Sequence, residues 1–363
     1  MEYFFILGRN TKLSKAEVFL FLEARRVGFE EIFFEENILV LRTEKNFDFN
    51  IQDFGGVLKL GKLRVFSQKK DFLDFLEKNE FIPADKFSYS IVGNIDENIF
   101  IEKFKKERKK AFIKRKGKRM SLQEGDNFFI SNADFEIFAL NKKNFYLGLV
   151  EQEYNSKQDE FVDMKKPVRR EELSISPRLS KILINLSGLK EGNLLVDPFC
   201  GIGNILIQAL LKNISAIGFD IDKRAIEGAE KNLLWLSQNF DFNANYKLER
   251  KNSLSLEKIY FDSIVTEPQL GELIRKKLSI EEKEKFILSF EKKIIPFLKK
   301  FKQIKKDNSR IVIVFPCFDN FSVDVQKIKE KTFLKTFYFK NISFPIEEKR
   351  KEQFVNRQIF VFY

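Results

Sequence analysis

The chain has 363 residues, 44% hydrophobic and 33% charged, with 65 Lys and Arg against 53 Asp and Glu. That length suits roughly two domains, since one core seldom grows past about 300 residues, and the apolar share excludes a disordered chain. The net charge of +12 points to a polyanionic partner, nucleic acid before an anionic membrane surface. There is no histidine, which excludes Ser-His-Asp triads, Cys-His dyads and His-held zinc. Cys200 and Cys317 are too few for a four-cysteine zinc site, an iron–sulfur cluster or a disulfide framework, so a reducing compartment is expected. The 43 phenylalanines read as compositional bias and assign no role by frequency.

The opening Met1-Glu2-Tyr3-Phe4-Phe5-Ile6 lacks the cationic region of a signal peptide, and no apolar run approaches the roughly 20 residues of a membrane span. A soluble, cytoplasmic protein is expected. Residues 3–7 read as a buried strand. Ser14, with Glu17 three residues later, has the spacing of a helix N-cap and capping box ahead of Val18, Phe19, Phe21 and Leu22. Residues 38–41 suggest a second strand, and Gly55-Gly56 a turn feeding another. Residues 87–92 alternate serine with apolar side chains at a period of two. This mixture suggests a small α+β unit, or two in series, over 1–150.

From Lys103 to Arg119 the charge is lopsided. Lys105, Lys106, Arg108, Lys109, Lys110, Lys114, Arg115, Lys116 and Lys118 lie between them, against the single acid Glu107. A solvated helix face would explain such a run, but its density in an already basic chain favours phosphate contact. Residues 151–172 are polar and aperiodic, and read as a linker or docking loop. The alternation that follows is that of a parallel α/β sheet.

Ser176-Pro177-Arg178 predicts a helix start, continued by Leu179, Ile182, Leu183 and Leu186. Strands follow at 194–196, 216–219, 263–266 and 311–315, with helices at 205–211, 224–236 and 281–301. Residues 358–362 read as a C-terminal edge strand.

Asp197-Pro198-Phe199-Cys200-Gly201-Ile202-Gly203 joins the first of these strands to its helix. Two glycines there let the backbone approach a ligand, but a dinucleotide fingerprint would have a third where Leu206 stands, and no Walker sequence occurs. Asp220, at the tip of the next strand, can accept hydrogen bonds from a ribose diol. A ligand with adenosine but few phosphates follows, and S-adenosylmethionine (SAM) fits. After the 263–266 strand, Glu267-Pro268 can point a carboxylate and carbonyls into the crevice. Such acceptors can hold the N–H bonds of a base amine and aim its nitrogen at a methyl group, without histidine or metal. Cys200 reads as a packing residue, and Phe315-Pro316-Cys317-Phe318 as apolar wall near a base pocket.

These segments resemble the THUMP-domain, SAM-dependent tRNA (guanine-N2) methyltransferases of the guanosine-10 type. Residues 3–9 with 13–17, and 54–62, resemble the family's ferredoxin-like part, and 87–93 with the basic stretch to Arg119 its THUMP region. Residues 163–186 are similar to the entry into the catalytic domain, and 197–203 to its D-P-F-C-G-[ST]-G loop. The resemblance implies an α/β chain with a ferredoxin-like plus THUMP region over 1–150, a linker over 151–172, and a class I (Rossmann-like) SAM methyltransferase domain over 173–363. It implies cofactor contacts at Ser176, Asp197, Phe199, Gly201, Gly203, Asp220 and Asn252, catalytic roles for Glu267, Pro268 and Gln269, and no metal. Lys109, Lys110, Lys114, Arg115, Lys116 and Arg119 would meet tRNA or another structured RNA. The family's [DN]-P-P-[YF] motif reads Glu267-Pro268-Gln269-Leu270 here. It is closer to a bacterial T-E-P-Y-L-G variant, with Gln269 for Tyr, so it is degenerate. An RNA-binding protein with a vestigial methyltransferase domain, and an amino-methyltransferase acting on rRNA or DNA, are the alternatives.

Overall fold

A computed structural model describes residues 1–115, 118–121, 127–170, 175–255, 260–270, 278–304, 309–319, 321–349 and 354–363, with 118–121 and 127–130 as backbone. They form two compact units. The first comprises Met1–Thr11, Val27–Gln52 and Val57–Tyr154; the second comprises Lys12–Arg26, Asp53–Gly56 and Asn155–Tyr363.

The first unit is built on β1 (Glu2–Leu7), β2 (Phe29–Glu35), β3 (Ile38–Thr43), β4 (Val57–Phe66), β5 (Lys86–Val92) and β6 (Lys110–Ile113). A hairpin of β7 (Lys118–Ser121) and β8 (Asn127–Ile130) follows, then β9 (Phe135–Asn141), β10 (Phe145–Leu149) and β11 (Gln152–Glu153). Among the described residues the sheet order is β2-β3-β1-β4-β10-β9-β5-β6, with β11 against β4. Only β5 pairs in parallel, with β6 and β9. After α1 (Thr11–Ala24), nearly all of which lies in the second unit, come α2 (Lys69–Lys78) and α3 (Asn98–Lys106). Aromatics make the core: Phe4 stacks on Phe138 at 4.1 Å, and Phe72, Phe87, Tyr89, Phe100 and Phe104 pack in one cluster. These rings bury large apolar areas, so the phenylalanine bias is spent chiefly on packing.

The second unit holds β12 (Leu194–Asp197), β13 (Ser215–Asp220), β14 (Tyr246–Arg250), β15 (Ser263–Thr266) and β16 (Arg310–Phe318). The minor strands β17 (Phe321–Ser322), β18 (Tyr338–Phe339), β19 (Ile342–Ser343) and β20 (Ile346–Glu348) precede β21 (Asn356–Phe362). The order is β14-β13-β12-β15-β16-β21-β20, with the first five strands parallel and β21 antiparallel to both neighbours. The order reverses between β12 and β15, where an open α/β sheet forms its ligand crevice at the carboxyl ends of the strands. The helices are α4 (Lys157–Lys165), α5 (Pro177–Leu186), α6 (Asn204–Leu210), α7 (Lys223–Asn239), α8 (Ile280–Ile304) and α9 (Val325–Thr332).

Four expectations change. Ser14 is not an N-cap: α1 begins at Thr11, and Ser14 and Glu17 are buried within it. Glu17 instead accepts the backbone N–H groups of Gly55 and Gly56 and the amide of Asn185 on α5, at 2.7–2.8 Å. Those bonds hold α1 and the 53–56 turn in the second unit, so the packing differs from a division into 1–150 and 173–363. Where a linker over 151–172 was expected, β11 and α4 form, and Asp159 of α4 pairs with Lys181 of α5 at 2.8 Å. Finally, β21 is not an edge strand, because β20 covers its outer side.

Candidate active site

The β12 strand is too short to bury more than Leu195 and Val196 before it delivers Asp197 to the crevice. Asp197 is 1% exposed. Its Oδ1 accepts from Thr266 Oγ1 at 2.6 Å and from the Phe199 N–H at 3.1 Å, tying the β12 turn to the end of β15. Burial pushes the Asp197 carboxyl up to about 7; the two donors oppose the rise, and the charges of Asp220 and Glu267 add to it.

The turn then passes through Gly201 at φ +53° and Gly203 at φ +87°, left-handed conformations that favour glycine. A Cβ on Gly201 would meet nothing within 4 Å, so the backbone here borders open space. The Gly201 N–H donates to Asp220 Oδ2 at 2.9 Å, and the Asp222 N–H to Asp220 Oδ1 at 2.9 Å. A carboxylate has about four acceptor positions, so two remain for a ligand diol. Asp222 caps α7 through the Arg224 N–H and pairs with Arg170 at 3.2 Å. The Phe199 ring packs 4.8 Å from Phe297 of α8.

Ser176 caps α5 by accepting the Leu179 N–H at 3.2 Å, and neighbouring Ile175 accepts the Asn204 amide at 3.0 Å. Asn252 is exposed beyond β14, with its side chain accepting the Leu254 N–H at 2.9 Å. Glu267 follows Thr266 directly. Its carboxylate is gripped by Arg357 of β21, Nε to Oε1 at 2.5 Å and Nη2 to Oε2 at 3.2 Å. Pro268 is buried and Gln269 exposed.

The structure thus brings Asp197, Phe199, Gly201, Gly203, Asp220 and Glu267 to one sheet edge. Sequence reasoning missed Thr266, Arg170 and Arg357, whose partners lie 52 to 90 positions away along the chain. It also missed Ile221, 64% exposed directly after Asp220; an apolar residue following the acid at a strand tip was the available signal. Phe315 and Phe318 pack in the core beside Phe290 and Phe286, which excludes Phe315 from an exposed pocket wall. Cys200 and Cys317 are buried, and burial raises both thiols, Cys317 to about 12.

The basic run is heterogeneous. Lys109, with a side chain 4% exposed, is held by Glu80 at 2.7 Å and by the Ile82 carbonyl. Lys103 is buried too, donating to the Leu76 and Asn79 carbonyls and to Glu107. Arg115 pairs bidentately with Glu97 at 2.6–3.1 Å, and Lys114 reaches the Asn132 carbonyl. Lys110 is exposed on β6. Lys116 lies outside the described residues, and Arg119 stands on β7. Among the described residues no helix is long and apolar enough to cross a membrane, and no cluster of acids and cysteines has metal-site geometry.

Residues 167–333 match the UPF0020 family, described as an RMKL-like methyltransferase domain. The chain is 41% identical over 101 residues to a tRNA (guanine(10)-N2)-dimethyltransferase of Methanothermobacter thermautotrophicus, a match covering 27% of this chain and 28% of that protein. The chain therefore spans little more than a quarter of that relative's length. It is 33% identical over 113 residues to a probable tRNA (guanine(10)-N2)-dimethyltransferase of Methanothermococcus thermolithotrophicus, covering 29% of this chain and 67% of that one. Its fold resembles that of TrmN from Thermus thermophilus with a TM-score of 0.51 at 13% identity, over 99% of this chain and 98% of the other. The chain belongs to the family of these tRNA (guanine-N2)-methyltransferases, and residues 167–333 are its methyltransferase domain.

Proposed function

We propose that the protein transfers a methyl group from SAM to the exocyclic N2 amine of a guanine in structured RNA, tRNA foremost. One observation carries this reading: the glycine turn after Asp197, the Asp220 carboxylate and Glu267 meet at the switch point, beside open space at Gly201. SAM fits that donor set, since Asp220 keeps acceptors for a ribose diol and Ile221 offers an apolar face to a purine. Bound SAM supplies an electrophilic methyl group on a sulfonium. The chain's own residues do the rest. The Gly201–Gly203 turn admits the ligand without side-chain clash, and Asp220 fixes its ribose. A guanine amine is a weak nucleophile, so its N–H groups need acceptors that orient the nitrogen. Glu267 supplies them, and the buried Pro268 stiffens the chain that carries it.

The first unit would act as the ferredoxin-like and THUMP region, gripping phosphates with Lys110, Lys114, Arg115, Lys116 and Arg119. Lys109 is too buried to contribute. The reading includes a cytoplasmic location and no metal requirement. A second reading, RNA binding with a vestigial catalytic domain, is favoured by Gln269, which offers no ring to stack on the base.

The test is transfer of labelled methyl from SAM to bulk tRNA, followed by nucleoside mass spectrometry. N2-methylated guanosine formed by wild type and lost in Asp220→Ala supports the proposal. Tight RNA binding without SAM binding favours the second reading, and methylation of rRNA or DNA alone replaces the substrate.

A further inference from the structure

We infer that Arg357 is the positioning residue for Glu267, holding its carboxylate in one orientation for the methyl acceptor. This role rests on the function proposed above. Arg357 lies on β21 opposite Pro316 of β16, and β16 lies beside β15, so the guanidinium reaches across the carboxyl edge to the residue after Thr266. The paired side chains are only 4% and 9% exposed. A guanidinium fork meets both oxygens of a carboxylate in one plane, which fixes orientation as well as charge.

The pairing addresses the family's missing aspartate. Glu is a methylene longer than Asp, so its carboxylate has one more rotatable bond and points less reproducibly when untethered. Arg357 removes that freedom. It takes one acceptor position on each oxygen, and of about four such positions roughly two remain for amine N–H groups. Glu267 lies near the buried Asp197 of β12, and Glu348 of β20 is in register with Arg357.

The experiment compares wild type with R357Q, R357K and the E267Q/R357Q double variant. R357Q should lose about tenfold or more in kcat, while its affinity for S-adenosylhomocysteine stays within about twofold of wild type. R357K, which keeps the charge but not the two-pronged grip, should recover only part of the activity. Thermal melting gives a readout without catalysis: R357Q leaves a buried carboxylate without its guanidinium and should lower the melting temperature, and E267Q/R357Q should restore most of it. Wild-type kcat in R357Q, or a kcat loss matched by an equal loss of S-adenosylhomocysteine affinity, overturns this role. A wild-type protein that methylates no RNA overturns the proposed function and this role together, and the wild-type assay tells the two failures apart.

Discussion

Thr266 donates its hydroxyl to Asp197 at 2.6 Å, joining the ends of β15 and β12 across the point where the strand order reverses. The bond ties the turn after β12 to the residue that precedes Glu267, and so fixes the spacing between Asp197 and Glu267. It also opposes the rise in the Asp197 carboxyl that burial causes.

Asp197 should therefore report cofactor binding. Its carboxyl is raised from 3.8 to about 7, so folding favours its protonated form; the associated stability is complete below the unfolded value and fades as pH rises through about 7. A cationic amino-acid group bound nearby would favour the ionised form. Calorimetry should find S-adenosylhomocysteine binding more tightly at about pH 8 than at about pH 6, with proton release. Thr266→Val should move that transition to higher pH; an unmoved transition would exclude Asp197 as its source.

Asp220 should matter twice, to the ligand and to the Gly201 N–H it accepts. A hydrogen bond to a charged group contributes about 1.5–3 kcal/mol, so Asp220→Ala should weaken cofactor affinity by about tenfold or more. Equilibrium binding measures this directly, and an unchanged affinity would remove the ribose role.

The basic run should divide by burial. Lys110→Glu should weaken tRNA binding and flatten its salt dependence by roughly 0.7–0.9 in log–log slope for each phosphate that the lysine neutralises. Lys109→Ala should leave the slope alone and lower the melting temperature, because its ammonium is committed to Glu80 and Ile82. Equal slopes for Lys110→Glu and wild type would return that residue to simple solvation.

Glu17→Ala should cost about 3 kcal/mol or more of stability, since it leaves two backbone donors and an amide buried without an acceptor. Denaturant unfolding checks it. A loss below about 1 kcal/mol would show that water enters the site freely.

Four of the five parallel strands were legible because each is a short apolar run followed by a turn or acid, whereas β14 (Tyr-Lys-Leu-Glu-Arg) carries no such run and was missed; Asp197, Gly201, Gly203 and Asp220 lie within 24 residues of one another. Local spacing carries such information. Ser14 and Glu17 misled because a capping box and a buried acid share one pattern, and the deciding partners sit at Gly55, Gly56 and Asn185. Arg357 was illegible for the same reason: nothing near it in the chain announces Glu267, 90 positions away. The basic run was read by count, whereas the helix termini and carbonyls that bury Lys103 and Lys109 are tertiary facts.

The hold of Glu17 on Asn185, 168 positions later, also sets an order of events on the ribosome. The first helix emerges early, and its buried acid gains the last of its partners, the Asn185 amide, only when α5 has been synthesised, well after Gly55 and Gly56. Contacts of such long sequence separation close late and slow folding, so the amino-terminal helix should stay protease-sensitive on nascent chains until the catalytic half is complete.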